Sequence, residues 1–227
     1  MKKLEEFLEE WDRKNTEQHN KIALFNPEMV ETLNIEQRHY FVRVFYHLRG
    51  HFVNFLWYAG NTAPNEQIKK VILDNIREEF SGKEKSHEQL YWEFAQGLGV
   101  DLTDELLNER TYVPFANDFN RKHLEWLHSH DWESGMAAFS AYERLDNIDY
   151  ADLLTLAKNF GAEGRSILFF EVHSKVRHYE MVSEGFNLGA LWDKSRDKVI
   201  EAYEFIWDHQ NEMWRNLSDA VFNHSLP

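Results

Sequence analysis

Residues 75–99 read NIREEFSGKEKSHEQLYWEFAQGLG, and the fold turns on that stretch. A helical run ends at Phe80, where Ser81-Gly82 stops it. A second run opens near Glu84 and carries Leu90, Tyr91, Phe94 and Leu98 at helical spacing. The pattern is helix, short turn, helix. Glu79 stands near the end of the first helix and His87 near the start of the second.

The same signals extend in both directions. Leu4, Phe7, Leu8 and Trp11 predict a helix over about 3–24, broken by Asn26-Pro27. Asn34 is a cap for a long aromatic helix over about 35–58. Pro64 opens the helix that ends at Phe80. A short helix near 104–108 is followed by helices over about 120–128, 131–145, 149–160, 163–182 and 191–222. No repeat, low-complexity tract or linker interrupts them, so the expectation is an all-α, bundle-like single domain over 1–227 with about nine helices.

Composition agrees. With 10 Gly and 4 Pro in 227 residues, turn chemistry is too sparse for a many-stranded fold. The 43% apolar content, with 17 Phe, 9 Tyr and 8 Trp, supplies a large core. A formal net charge of −14 repels phosphate backbones and anionic membrane surfaces, so neither nucleic acid nor membrane is an expected partner. The chain has no Cys, which excludes disulfides and thiol catalysis and fits a reducing cytoplasm. The acidic amphipathic N-terminus lacks the apolar run of a signal peptide. The expected location is therefore cytoplasmic.

Three more stretches carry candidate chemistry. In Ala137-Ala138-Phe139-Ser140-Ala141-Tyr142-Glu143 an acid ends an apolar run. In Ile167-Leu168-Phe169-Phe170-Glu171-Val172-His173 a histidine does. At about 100° per residue, Arg177 and Glu180 share the helical face of His173. Carboxylates and imidazoles from different helices can meet inside a bundle and hold iron or manganese. Each also has an ordinary reading: Glu79 and His87 as solvated residues, Glu143 in a surface ion pair, His173 as a hydrogen-bonded core histidine. His47 and His51, four apart, can pair on a metal or line a cavity.

The Asn-x-x-x-Glu of residues 75–79, the His after a short gap, and the aromatic helix ending in Leu98-Gly99 resemble a signature of the haem-oxygenase-like diiron oxidases. So do a Glu 56 residues after that His and the Phe-Phe-x-x-His of 169–173. The resemblance spans about Glu28 to Glu184 and implies the fold shared by the TenA and PqqC families. It implies iron, one or two ions per chain, with O₂ as co-substrate. Glu79, His87, Glu143 and His173 would be ligands, and a small amino-acid-like or fatty-acid-like molecule the substrate. It also makes a homodimer plausible.

Departures are specific. The family continues after its last-helix His with Asp four residues on and His seven on. Here Arg177 and Glu180 stand there. The family's first-helix Glu has no counterpart among Tyr46, His47 and His51. A guanidinium does not ligate a cation, so Arg177, with Tyr46 and His47, is expected to face the substrate, by a bidentate grip on a carboxylate, while Glu180 is an additional ligand candidate. Three classes remain open: an iron-dependent oxidase or oxygenase, first; a metal-free enzyme similar to PqqC; and a non-catalytic binding protein on the same fold. A TenA-like thiaminase is disfavoured by the missing Cys.

Overall fold

Local caps decide where the helices begin in the computed structural model, which describes residues 3–81, 85–175 and 178–225. α1 (Leu4–His19) starts where the Lys3 N–H donates to Glu6 Oε2. Pro27, which was expected only to break a helix, occupies the first position of a short one, α2 (Pro27–Glu31), capped by Asn26. Asn34 and Gln37 form a reciprocal capping box at the start of α3 (Ile35–Gly50), both bonds 3.0 Å. Ser86 and Gln89 do the same for α6 (His87–Gly97), fixing His87 as its first residue.

The long aromatic helix expected over 35–58 is two helices. α3 stops at Gly50, and α4 (Phe52–Thr62) starts one residue later. Gly50 is a weak helix former worth about 1 kcal/mol less than Ala, which makes this the place to bend. α5 (Glu66–Ser81) brings Glu79 to its last turn. α7 (Thr103–Asn108) matches expectation, and α8 (Pro114–Ser129) begins earlier than expected because Pro114 initiates it.

The next two expected helices are one. α9 (Trp132–Asn159) runs through Leu145-Asp146-Asn147-Ile148-Asp149 without a break. Its buried face, including Ala141, Leu145, Leu153 and Leu156, packs along α12 (Leu188–Phe222), and tertiary burial overrides the low helix propensity of Asp and Asn. The helix expected over 163–182 is broken instead: a 3₁₀ turn at Gly164–Ile167, α10 (Leu168–His173), then α11 (His178–Gly185). α12 kinks at Ser195, whose φ is −146°.

Among the described residues there is no strand, and no helix is long and apolar enough to cross a membrane. The core is aromatic. Phe41, Tyr91, Phe94, Phe169 and Phe170 are fully buried where α3 and α10 meet α6, and Tyr203 of α12 is fully buried against Phe7 and Trp11 of α1. A second cluster of Leu56, Ile72, Ile76, Phe139 and Val182 pins α5 against α4, α9 and α11. These two clusters hold the ends of α5, α6 and α10 at one place.

Candidate metal centre

Glu79, His87 and His173 arrive from three helices, and one donor atom from each lies within 4.8 Å of the others. The His87 ring approaches Glu79 Oε1 to 2.9 Å through Nδ1. The His87 and His173 rings stand 4.3 Å apart. His173 Nδ1 lies 2.7 Å from the carbonyl of Phe169. A carbonyl only accepts, so Nδ1 carries the proton and Nε2 keeps its lone pair, the usual arrangement of a metal-ligating histidine. Tyr150 stacks on the same ring at 4.3 Å.

The electrostatics favour the ligating forms of two of these groups. Burial lowers the His173 pKa, and neighbouring His87 lowers it further, to about 3, so the imidazole is neutral at ordinary pH. Burial raises the Glu79 pKa, but the hydrogen bond and charge of His87, then His173 and Arg49, outweigh it and hold the carboxyl at about 2.

Glu143 stands on α9, 3% exposed, and lines the same cavity as Glu79 and His173, a space of about 40 Å³. Asp146, one turn further on, lines it too. Burial pushes the Glu143 carboxyl well above its ordinary range, and Glu79 and Glu78 add to the shift. Asp146 is raised well above its range by burial, then by Glu143, Asp149 and Glu79. Neither carboxylate has a hydrogen-bond partner among the described residues. Buried unpaired carboxylates are costly unless a cation neutralises them. The Glu79 carboxylate and the two imidazoles, with two further acids on the wall of the adjoining cavity, form a donor set suited to Fe(II).

Arg49 is the residue that sequence reasoning missed on the cationic side. Both its terminal nitrogens lie within 3.0 Å of Glu88 Oε2, and its guanidinium lies 4.7 Å over the Tyr91 ring. Arg49 and Glu79 line the inner cavity and also a larger outer one of about 420 Å³. The outer cavity holds two of the expected substrate-facing residues, Tyr46 and His47. His47 Nε2 is 2.9 Å from Glu105 Oε2, which also accepts from Thr111. Tyr112 lies between His47 and His51, 5.0 Å from each ring.

The structure therefore brings Glu79, His87 and His173 into one group and places Glu143 on the wall of the same cavity. It does not bring Glu180 there. The shared face assigned to His173, Arg177 and Glu180 required an unbroken helix, whereas α10 ends at His173 and Glu180 is exposed on α11. Arg177 lies outside the described residues. Asp146 was hidden by the expectation of a break at 145–149. Read as continuous helix, Glu143 and Asp146 are i and i+3 neighbours.

A model of a family described as iron-containing redox enzymes matches residues 39–204, from α3 into α12. Among solved structures, a CADD-like protein of unknown function from Nostoc punctiforme superposes on the chain. Its 2.00 Å structure has a TM-score of 0.74 at 18% identity, covering 93% of this chain and 98% of that one. Its 1.35 Å structure has a TM-score of 0.69 at 17% identity, covering 96% and 99%. These likenesses show the fold alone, which is haem-oxygenase-like. No curated protein matches.

Proposed function

The chain belongs to the iron-containing redox enzyme family, and from that premise we propose that it is an iron-dependent oxidase or oxygenase that uses O₂ on a small molecule. The observation that carries this reading is the convergence of Glu79, His87 and His173 within 4.8 Å, beside the buried Glu143 and the half-buried Asp146. Fe(II) held by these residues supplies the one-electron chemistry that O₂ activation requires.

The chain's own groups do the rest. Glu79 and the Nε2 lone pair of His173 are held in ligating form before any ion arrives. Glu143, on the wall of the same cavity, would be a further ligand, and Asp146 would add negative charge beside a bound cation. Tyr142, Tyr150 and Phe52 close the inner cavity and limit its water. The outer cavity takes the substrate. At about 420 Å³ it is the size of an ordinary small-molecule site. Its walls combine the polar Tyr46, His47, His51, Glu105 and Glu109 with the apolar Val53, Phe80 and Leu106, which suits a small molecule with both a polar and an apolar end. Arg177 is a further candidate for gripping a substrate carboxylate.

A metal-free, PqqC-like enzyme is the second reading. Arg49 favours it, because a fixed guanidinium in the wall of both cavities supplies an organic anion with a cation without any metal. The test is O₂ consumption. Anaerobic Fe(II)-loaded protein mixed with O₂ is expected to consume it faster than the same amount of free Fe(II), and His173→Ala is expected to return the rate to that of free Fe(II). Equal rates for both proteins and free Fe(II) would move the weight to the metal-free enzyme.

A further inference from the structure

The outer cavity of about 420 Å³ is unevenly charged. Four carboxylates line it, from Glu79, Glu88, Glu105 and Glu109, against one guanidinium, from Arg49. Glu79 belongs to the proposed metal centre, and Glu88 is matched by Arg49 through its Oε2. That leaves Glu105 and Glu109. Burial lowers the His51 pKa, so this imidazole, also on the wall, adds no charge at pH 7.

Glu105 is held as an acceptor with one oxygen to spare. The residue is 2% exposed. Its Oε2 takes three hydrogen bonds, from His47 Nε2 at 2.9 Å, the Thr111 N–H at 2.8 Å and the Thr111 hydroxyl at 2.7 Å. Its Oε1 takes none among the described residues, since Arg43 Nε lies 4.0 Å away, outside hydrogen-bond reach. A buried carboxylate oxygen without a donor is costly, and a ligand that brings a donor relieves that cost. Glu109 ends α7, exposed, with no ion pair among the described residues. The rest of the wall includes the apolar Val53, Phe80 and Leu106. Phe80 is 59% exposed and Leu106 56%, so neither apolar surface is covered by the chain itself.

We propose that the outer cavity takes an organic amine, its ammonium donating to Glu105 Oε1 with Glu109 as the second negative charge, and its apolar body lying against Val53, Phe80 and Leu106. This rests on the reading of that cavity as the substrate space and names the class of substrate. An ammonium brings three donors and no acceptor, which is what an open carboxylate oxygen lacks. A charge-assisted bond of this kind is about twice as strong as a neutral one. A carboxylate ligand would meet Glu105 and Glu109 at like charge, and an alcohol would supply a donor without the charge. The formal net charge of −14 draws cations toward the molecule and adds to the same preference.

The test is isothermal titration calorimetry on the full metal-free chain at pH 7, so that an amine coordinating iron does not stand in for one held by Glu105. The probes are hexylamine, hexanoate, hexanol and ethylamine. Hexylamine is expected to bind at least about tenfold more tightly than hexanoate or hexanol, and at least about tenfold more tightly than ethylamine, which lacks the apolar body. Glu105→Gln keeps an acceptor for Thr111 and is expected to weaken hexylamine by about tenfold or more. Two exposed positions give variants that keep the fold: Glu109→Gln is expected to weaken hexylamine by about two- to threefold, and Leu106→Ser to narrow the ratio of hexylamine to ethylamine by about threefold. Glu9→Gln, on α1 and away from the cavity wall, removes the same unit of charge and is expected to bind as wild type. Hexanoate bound as tightly as hexylamine, or more so, overturns the inference and favours an anion at Arg49. Absence of hexylamine binding overturns it, as does hexylamine affinity that Glu105→Gln and Glu9→Gln change alike, which assigns the preference to net charge. Neither iron nor O₂ enters the experiment, so each of these failures leaves the O₂-using function to its own test.

Discussion

Glu143 shows how a candidate ligand differs from a structural acid. It is 3% exposed and has no partner among the described residues. Burial, with Glu79 and Glu78, raises its pKa far above the ordinary carboxyl value near 4.3. A group whose folded pKa is raised makes the protein less stable as pH rises above its unfolded value, because the unfolded chain ionises first. In the metal-free protein Glu143→Gln is therefore expected to be more stable than wild type at pH 7 by about 1–3 kcal/mol, and equal to it near pH 4. Thermal melts at the two pH values check this, and a variant less stable than wild type at pH 7 would assign the carboxylate a structural role. Of the candidate site, Glu79, His87, Glu143 and His173 were legible as candidates because each acid or imidazole sits at the end of a helix or of an apolar run. Asp146 was not, because Asp146-Asn147 reads locally as a helix stop, and Arg49 was not, because a lone arginine in an aromatic helix carries no signal about its partner.

At the scale of the element, the positions of the helices were readable and their continuity was not. Asn34 was readable as a cap because capping is local chemistry, whereas the union of 131–145 with 149–160 depends on burial against α12, which no local window contains. The interruption after His173 is the opposite case: α10 and α11 are separate although the intervening residues contain no Gly or Pro. The close contact of α6 with the 3₁₀ turn before α10 sets the spacing of His87 and His173. A Cβ on Gly97 would lie 2.3 Å from Ser166 Cβ and 2.9 Å from its Oγ. Gly97→Ala is expected to force the two elements apart at a cost of about 1–3 kcal/mol. The melting temperature should fall by about 2–4 °C per kcal/mol, with weakened metal retention. Gly50→Ala, where nothing lies within 4 Å of the new atom, is the control expected to lower neither, with a melting temperature equal to or above that of wild type.

At the scale of the molecule, the all-helical, haem-oxygenase-like architecture was legible from aromatic periodicity and the scarcity of Gly and Pro. The arrangement of two cavities was not. It arises where helices distant in sequence converge, and Arg49 and Glu79 line both the cavity beside the proposed metal centre and the proposed substrate cavity. Placing the proposed metal donors at the ends of α5, α6 and α10 lets two apolar clusters fix them, so a bound ion is expected to lock elements that packing has already brought together. The most direct measurement is iron content after anaerobic Fe(II) loading and removal of excess metal, on wild type, Glu79→Ala, His173→Ala and His47→Ala. The expected result is about one iron or more per chain in wild type and in His47→Ala, with loss in Glu79→Ala and His173→Ala. Wild-type protein that retains no iron, or Glu79 and His173 variants that retain as much as wild type, would contradict the metal centre.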